Sequence, residues 1–227
     1  MMLDRHNRLL AALDLLTTLL MAGAAGVVFF FTPVEATMGA VQKVFYFHVA
    51  ANWAGMLGFI VAAVCAGGYL RTGSSAWDIA ESAAVEIGLV FTAIGIVSGS
   101  IWAYSAWGTF WTWDPRLTTA AIMVLLYAAY FLLRQGIENP ERRARFAAVY
   151  AIIGIISVPA TFLSIRMFRT IHPVLVAGEE TLGLTPAMQA AFFFSLAAFS
   201  FLFASLFWHR IRLGRLAEAV EIQQSQV

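Results

Sequence analysis

The sequence predicts an all-α integral membrane protein with six transmembrane helices. Of its 227 residues, 61% are hydrophobic and 12% are charged, and that charged share is about half of what soluble domains carry. The mean hydropathy is +0.79. Six apolar segments have a length close to the roughly 20 residues that a helix needs to cross a bilayer. No connection between them is long enough to hold a soluble domain. Residues 1–227 are therefore predicted to form a single polytopic membrane domain.

The six predicted spans follow one another at short intervals. They lie at about residues 15–31, 44–70, 83–103, 117–133, 146–165 and 187–208. The third span is dense in small residues, which favour close helix approach in membranes. Glu86, near its predicted start, is expected to be exposed at the cytoplasmic end.

Local signals support these boundaries. Asp114-Pro115 and Thr185-Pro186 have the N-cap and first-turn residues that begin helices, here the fourth and sixth spans. Pro159 falls inside the fifth span and predicts a kink, which membrane helices tolerate when neighbours satisfy the freed carbonyl.

The basic residues predict the orientation. Ten of the 14 Lys and Arg residues fall on the side that holds both termini, and four fall on the other side. The positive-inside rule places the ten-residue side, and both termini, in the cytoplasm. Three connections then face outward, at about 33–43, 104–116 and 166–186. His6 and His209 lie on the cytoplasmic side and are expected to be solvated.

Composition also excludes several classes of protein. The net charge of +1 provides no basic patch for nucleic acid. The single cysteine, Cys65, excludes a disulfide framework, a cysteine-based metal site and covalent haem attachment through a C-x-x-C-H motif. It is expected to be an inert buried thiol.

The second outward connection concentrates aromatic residues. It reads WGTFWTWDPR and contains Trp107, Phe110, Trp111 and Trp113. One interpretation is an interfacial aromatic belt, since Trp favours the headgroup region. The other is a flat apolar platform for a planar ligand, because large rigid rings supply contact area at little entropic cost.

Two histidines share the outward side with this loop. His48 lies near the outer end of the second span, and His172 lies in the third outer connection, where Pro173 favours an extended conformation. Each is either an interfacial hydrogen-bonding residue or a ligand. Neutral imidazole binds haem iron well, and two imidazoles on opposite faces fill both axial positions.

The remaining outward charges are few. Lys43, Arg116, Arg166 and Arg169 either reach to lipid headgroups or meet the two haem propionates. Asp114 is expected to cap its helix, and the outward acids Glu35, Glu179 and Glu180 have no derivable partner.

The run WGTFWTWDPRLT resembles the "WWD" motif of the haem-handling family of cytochrome c biogenesis. The runs VQKVFYFHVAANW and SGSIWAYSAWGTFW also resemble that family, whose six-span members match this chain in length and in the position of the Trp-rich loop. The larger haem lyases of the family have more spans and further membrane histidines. Around the second family histidine this chain reads FRTIHP, in which His172 is the only histidine.

The resemblance implies a haem-transfer role. Haem b, bound transiently and non-covalently, would be held on the outer face of the bacterial inner membrane by His48 and His172 over Trp107, Phe110, Trp111 and Trp113, with Arg116 nearby. It would then pass to the membrane-anchored haem chaperone, cytochrome c maturation protein E. The small membrane protein D and the ATP-binding-cassette pair A and B would complete the assembly. This chain has no nucleotide motif, and a catalyst with defined turnover is not expected.

Two other functions remain open at this stage. A membrane electron-transfer protein of the b type would also hold haem between histidines, although such histidines usually pair at mid-depth. A solute transporter or assembly subunit would bind no haem and would use the Trp-rich loop as a protein contact surface.

Overall fold

The computed structural model describes residues 2–172 and 184–225, with side chains from Asn7 onward. Over these residues it contains seven α-helices and a π-helical turn, Val27–Phe31, that extends the first of them. The helices are α1 (Met2–Gly26), α2 (Gln42–Thr72), α3 (Ser75–Trp107), α4 (Pro115–Gln135), α5 (Pro140–Gly154), α6 (Ser157–Met167) and α7 (Pro186–Gln224). Among the described residues no segment forms a named strand, and a single isolated bridge joins Glu35 and Gly39.

Six stretches of helix are long and apolar enough to cross a membrane, which confirms the predicted class and span count. They are Asn7–Phe31, Gln42–Thr72, Ser75–Trp107, Pro115–Gln135, Pro140–Met167 and Pro186–Gln224. The fifth combines α5 and α6, which are separated by a break at residues 155–156. This break lies where Pro159 predicts it, because proline lacks the N–H that would bond to Ile155 and its ring crowds that carbonyl.

The predicted helix caps are also present. The side chain of Asp114 accepts from the N–H of Arg116 at 2.9 Å, and Thr185 Oγ1 accepts from the N–H of Met188 at 3.4 Å. Each precedes a proline at the first helical position. At the other end of α3, Gly108 takes φ of 71°, a left-handed conformation that stops the helix at low cost.

The helices extend further than the apolar segments predicted. α3 begins at Ser75 rather than near residue 83, because its first turns bury Glu81 within the protein instead of exposing it to lipid. As a result Glu86 is not near the helix start. Its carboxylate accepts a hydrogen bond from Arg210 Nε at 2.8 Å, so it is an ion-pair partner of α7 rather than an isolated solvated acid.

α2 and α3 form the closest helix pair, and glycines make that approach possible. A Cβ atom built at Gly58 would lie 2.8 Å from the Cα of Gly88, and one at Gly88 would lie 2.9 Å from the Phe59 ring. The small residues of the third span therefore allow the close helix contact that is typical of membrane proteins. The same register places the N-terminal half of α2 against Gly95 and Gly99 of α3.

The end of the bundle opposite the Trp-rich loop is tied by polar contacts. Tyr130 donates to Glu81 Oε1 at 3.0 Å and accepts from Arg134, which forms an ion pair with Asp78. His209 is exposed, as predicted, and its Nε2 also lies 3.0 Å from Asp14 Oδ2. Cys65 is buried, as predicted.

Candidate functional site

The imidazole of His48 lies between α2 and α3. Its Nδ1 is 2.8 Å from the carbonyl oxygen of Gly95. A carbonyl oxygen can only accept, so Nδ1 carries the proton in the neutral ring and Nε2 keeps its lone pair. This is the arrangement in which metal-ligating histidines are held by a neighbouring backbone carbonyl.

Glycines in α3 make room for this ring. A Cβ atom at Gly99 would lie 2.5 Å from His48 Cε1 and 2.8 Å from Nδ1, and one at Gly95 would collide with the side chain of Asn52. Asn52 in turn donates from Nδ2 to the carbonyl of His48 at 2.9 Å. Backbone and glycine together fix where the imidazole sits.

His172 is the last residue described before the gap at 173–183, and its loop is attached to the start of α4. The hydroxyl of Thr170 lies 2.8 and 2.7 Å from the two carboxylate oxygens of Asp114, and the N–H of Ile171 donates to Asp114 Oδ2 at 2.9 Å. The N–H of His172 donates to Thr170 Oγ1 at 3.0 Å. Pro173, Glu179 and Glu180, singled out by the sequence, lie outside the described residues.

Asp114 is therefore more than the helix cap that the sequence predicts. Burial by itself would raise the pKa of its carboxyl, but hydrogen bonds from Thr170, Ile171 and Arg116, with the nearby charge of His172, outweigh burial and hold the pKa below its ordinary value. The group is a carboxylate at neutral pH and accepts all of these hydrogen bonds in that form.

The structure places His172 at the same end of the bundle as His48. The His48 ring packs against Gly99, about two helical turns before Trp107 at the end of α3. The ring of His172 also meets the edge of the Trp107 ring, with 6.3 Å between centroids. The two histidines and the start of the Trp-rich motif thus share one end of the bundle.

The tryptophans divide into two pairs. Trp107 is the last residue of α3 and not a loop residue as expected, because the helix continues until Gly108 ends it; its ring packs against Trp102 at 5.5 Å. Trp111 and Trp113 lie in the loop and contact each other edge to face at 5.7 Å. Trp113 is 78% exposed, so this pair forms the open part of the aromatic surface.

Phe110 stacks on Tyr104 with ring centroids 4.4 Å apart and planes 14° from parallel. Both rings remain more than half exposed. Their flat outer surface extends the aromatic face of the motif from its loop back onto the last turn of α3.

The cations are less free than the sequence suggests. Arg116 Nη1 donates to the carbonyl of Thr161 at 2.6 Å, and its guanidinium lies 5.0 Å from the centroid of the Phe162 ring. Lys43 Nζ donates to the carbonyl of Phe29 at 2.7 Å. Arg116 therefore links α4 to α6. Arg166 and Arg169 are both exposed residues.

Three contributors were missed by reasoning from sequence. Trp102 packs on Trp107 and donates to Gln42 Oε1 at 3.2 Å; its place one helical turn and a half before the motif was the available signal. Gly95 and Gly99 were noted only as small residues, although their four-residue spacing marks one helix face. The contact between Asp114 and Thr170 joins positions 56 apart and has no local signature.

The donor set fits haem. Imidazole nitrogen with an available lone pair is a haem-iron ligand, and stacked or edge-on aromatic rings suit a planar macrocycle. Among the described residues no group of three or more His, Cys, Asp or Glu side chains is arranged to hold a metal ion directly.

Comparison with known proteins points to one family. The family described as "Heme exporter protein C" matches residues 1–226. The Heme exporter protein C of Rhodobacter capsulatus is 34% identical over 191 residues, covering 81% of this chain and 77% of that protein. The one from Bradyrhizobium diazoefficiens is 30% identical over 197 residues, covering 85% and 75%. The one from Escherichia coli K12 is 30% identical over 186 residues, covering 81% and 74%.

Proposed function

We propose that this chain, which belongs to the Heme exporter protein C family, binds haem b transiently and without a covalent bond during cytochrome c biogenesis. His48 and His172 are the axial ligands, and Trp107, Trp111, Trp113 and Phe110 form the aromatic surface beside the ring. Arg116 supplies positive charge near the site. The haem is cargo, passed on to a membrane-anchored haem chaperone.

The observation that supports this most directly is the hydrogen bond from His48 Nδ1 to the Gly95 carbonyl. It leaves the Nε2 lone pair available to iron and orients the ring through the rigid backbone of α3. His172 lies at the same end of the bundle, where its ring contacts that of Trp107. Two neutral imidazoles bind haem iron reversibly, as a protein that must release its cargo requires.

The proposal includes a location and partners. Membership of the family implies a bacterial inner membrane protein, and the positive-inside rule favours cytoplasmic termini with the haem site on the outer face. The partners implied by the resemblance are the cytochrome c maturation proteins E, D, A and B. Any ATP hydrolysis belongs to the A and B pair.

Absorption and electron paramagnetic resonance spectra of the purified full chain test the ligands. Bis-imidazole haem is low-spin, whereas haem with one imidazole shifts toward high-spin. We expect His48→Ala and His172→Ala each to lose haem or become high-spin, with added imidazole partly restoring the low-spin spectrum. His209→Ala is the matched control, because His209 pairs with Asp14 at the other end of the bundle.

The same spectra distinguish the alternatives. Suppose that the wild-type protein contains no haem when purified and binds none when haem is added. That result would point to a non-haem transporter or assembly subunit. A double His48→Ala, His172→Ala variant with an unchanged low-spin spectrum would contradict the proposed ligands.

A further inference from the structure

We propose that Asp114, the aspartate of the Trp-rich motif, is a positioning residue that holds His172 in place for haem. This inference rests on the proposed function, because it assigns a role toward the second axial ligand. Asp114 is not itself a proposed ligand of iron; it acts through the loop that precedes His172.

The carboxylate receives hydrogen bonds from two separate parts of the chain. Oδ1 accepts from the N–H of Arg116 at 2.9 Å, within the first turn of α4. Both oxygens lie within 2.8 Å of the Thr170 hydroxyl, and Oδ2 accepts from the N–H of Ile171 at 2.9 Å. The group is 9% exposed, so little water competes for these bonds.

The chain of contacts ends on His172. Thr170 Oγ1 donates to Asp114 and accepts from the N–H of His172 at 3.0 Å. α6 ends at Met167 and Phe168 is extended, so the carboxylate supplies the fixed point for the segment between α6 and the gap. The anchor also sets His172 against the Trp107 ring.

Capping alone does not require a carboxylate. Asn is as good an N-cap as Asp, and its single carbonyl oxygen would still accept from the N–H of Arg116. Its NH₂ group, however, is a donor and would face the N–H of Ile171, which also donates, whereas the hydroxyl of Thr170 can turn and accept. Asp114→Asn therefore preserves the cap of α4 and removes the bond to Ile171 from the anchor of the His172 loop, and Thr170→Val removes the bonds through the hydroxyl.

The experiment compares haem binding by the full chain carrying Asp114→Asn or Thr170→Val. We expect either variant to bind haem about 10–100-fold more weakly, the range found when residues supporting metal ligands are removed. The remaining bound haem shifts from low-spin toward high-spin, and added imidazole restores the low-spin spectrum. Thr170→Ser keeps the hydroxyl and should rescue the spectrum relative to Thr170→Val.

Asn139→Ala serves as the control, since Asn139 caps α5 at the opposite end through the N–H of Arg142. It removes a helix cap without touching the haem end and should leave the spectrum unchanged. If Asp114→Asn does not fold, Thr170→Val breaks the same anchor from the loop side and decides the question.

The outcomes separate the two proposals. Low-spin haem at wild-type affinity in both Asp114→Asn and Thr170→Val would overturn the role of Asp114 while leaving the histidine ligands standing. Loss of haem that imidazole does not restore would make Asp114 a structural residue only, which also overturns the inference. Wild-type protein that binds no haem, or whose spectrum ignores His48→Ala and His172→Ala, would instead refute the proposed function.

Discussion

The Nδ1 atom of His48 lies 2.8 Å from the carbonyl oxygen of Gly95, across the interface between α2 and α3. A backbone carbonyl in the middle of a helix cannot turn away, so the bond fixes both the tautomer and the plane of the ring. Glycines allow the two helices to approach closely, and this approach therefore orients His48 Nε2, the atom that we propose as an iron ligand.

Gly99→Ala tests this packing. The new Cβ would lie 2.5 Å from His48 Cε1, and the ring must move because the α3 backbone holds the methyl group in place. We expect haem affinity to fall about 10–100-fold, as when other supports of a metal ligand are removed, and the spectrum to shift toward high-spin. Titration of the purified apoprotein with haem measures both effects.

Gly67→Ala is the matched control, because a Cβ at Gly67 in α2 meets nothing within 4 Å. It should bind haem as the wild type does. Equal affinities for Gly99→Ala and wild type would show that the position of the His48 ring does not matter for haem binding.

The tryptophans are expected to contribute unequally. Trp107 contacts the His172 ring and Trp102, whereas Trp113 contacts Trp111 and is largely exposed. Aromatic contacts contribute roughly 0.5–1.5 kcal/mol beyond area burial, about two- to tenfold in affinity. Trp107→Leu should weaken haem binding and broaden the low-spin signal, and Trp113→Leu should weaken it less.

Replacing Trp107, Trp111 and Trp113 together should abolish haem retention during purification. Trp77→Leu, at the other end of α3, is the control for loss of a large ring. Normal haem content in the triple variant would mean that the aromatic cluster is an interfacial belt rather than a haem surface.

Hydropathy and capping residues are enough to predict the six spans and the sharing of one bundle end by His48, His172 and the Trp-rich loop. Both predictions depend only on short segments of sequence and on the fact that successive spans end on alternate sides of the membrane. Hydropathy does not predict where α3 begins. Glu81 is a charged residue and therefore indicates a position outside a span, whereas in the structure it is buried and accepts a hydrogen bond from Tyr130.

The details of the site escaped prediction for a related reason. Asp114 was correctly predicted to cap α4, but its bond to Thr170 depends on where α6 ends in space. The partner of His48 is a carbonyl, which every residue has, so no residue type in the sequence marks Gly95. Trp107 was placed in the loop because aromatic residues signal both helix ends and connections.

The orientation is tested by labelling introduced cysteines in intact cells. Ala36 and Glu138 are exposed and lie in connections at opposite ends of the bundle. In a Cys65→Ala background, a membrane-impermeant maleimide should label Ala36→Cys directly and Glu138→Cys only after permeabilisation, because the positive-inside rule places Glu138 in the cytoplasm. Labelling from the same side for both would contradict the span count, and the reverse pattern would contradict the orientation.

Substitutions at the end of the bundle opposite the proposed haem site should lower the stability of the protein without changing haem binding. Tyr130 supplies the hydrogen bond to Glu81 Oε1 at 3.0 Å, and Glu81 is fully buried. Tyr130→Phe leaves that oxygen without its donor, and an unsatisfied buried polar group costs about 1–3 kcal/mol. We expect denaturant unfolding of the detergent-solubilised protein to show a loss of unfolding free energy of this size with an unchanged haem spectrum.

Tyr69→Phe is the control, because it removes only an exposed 3.3 Å bond to the Glu141 carbonyl, and it should lower the unfolding free energy much less. Equal unfolding free energies for Tyr130→Phe and wild type would mean that Glu81 does not depend on Tyr130, whereas a haem spectrum altered only by Tyr130→Phe would show that the two ends of the bundle are coupled.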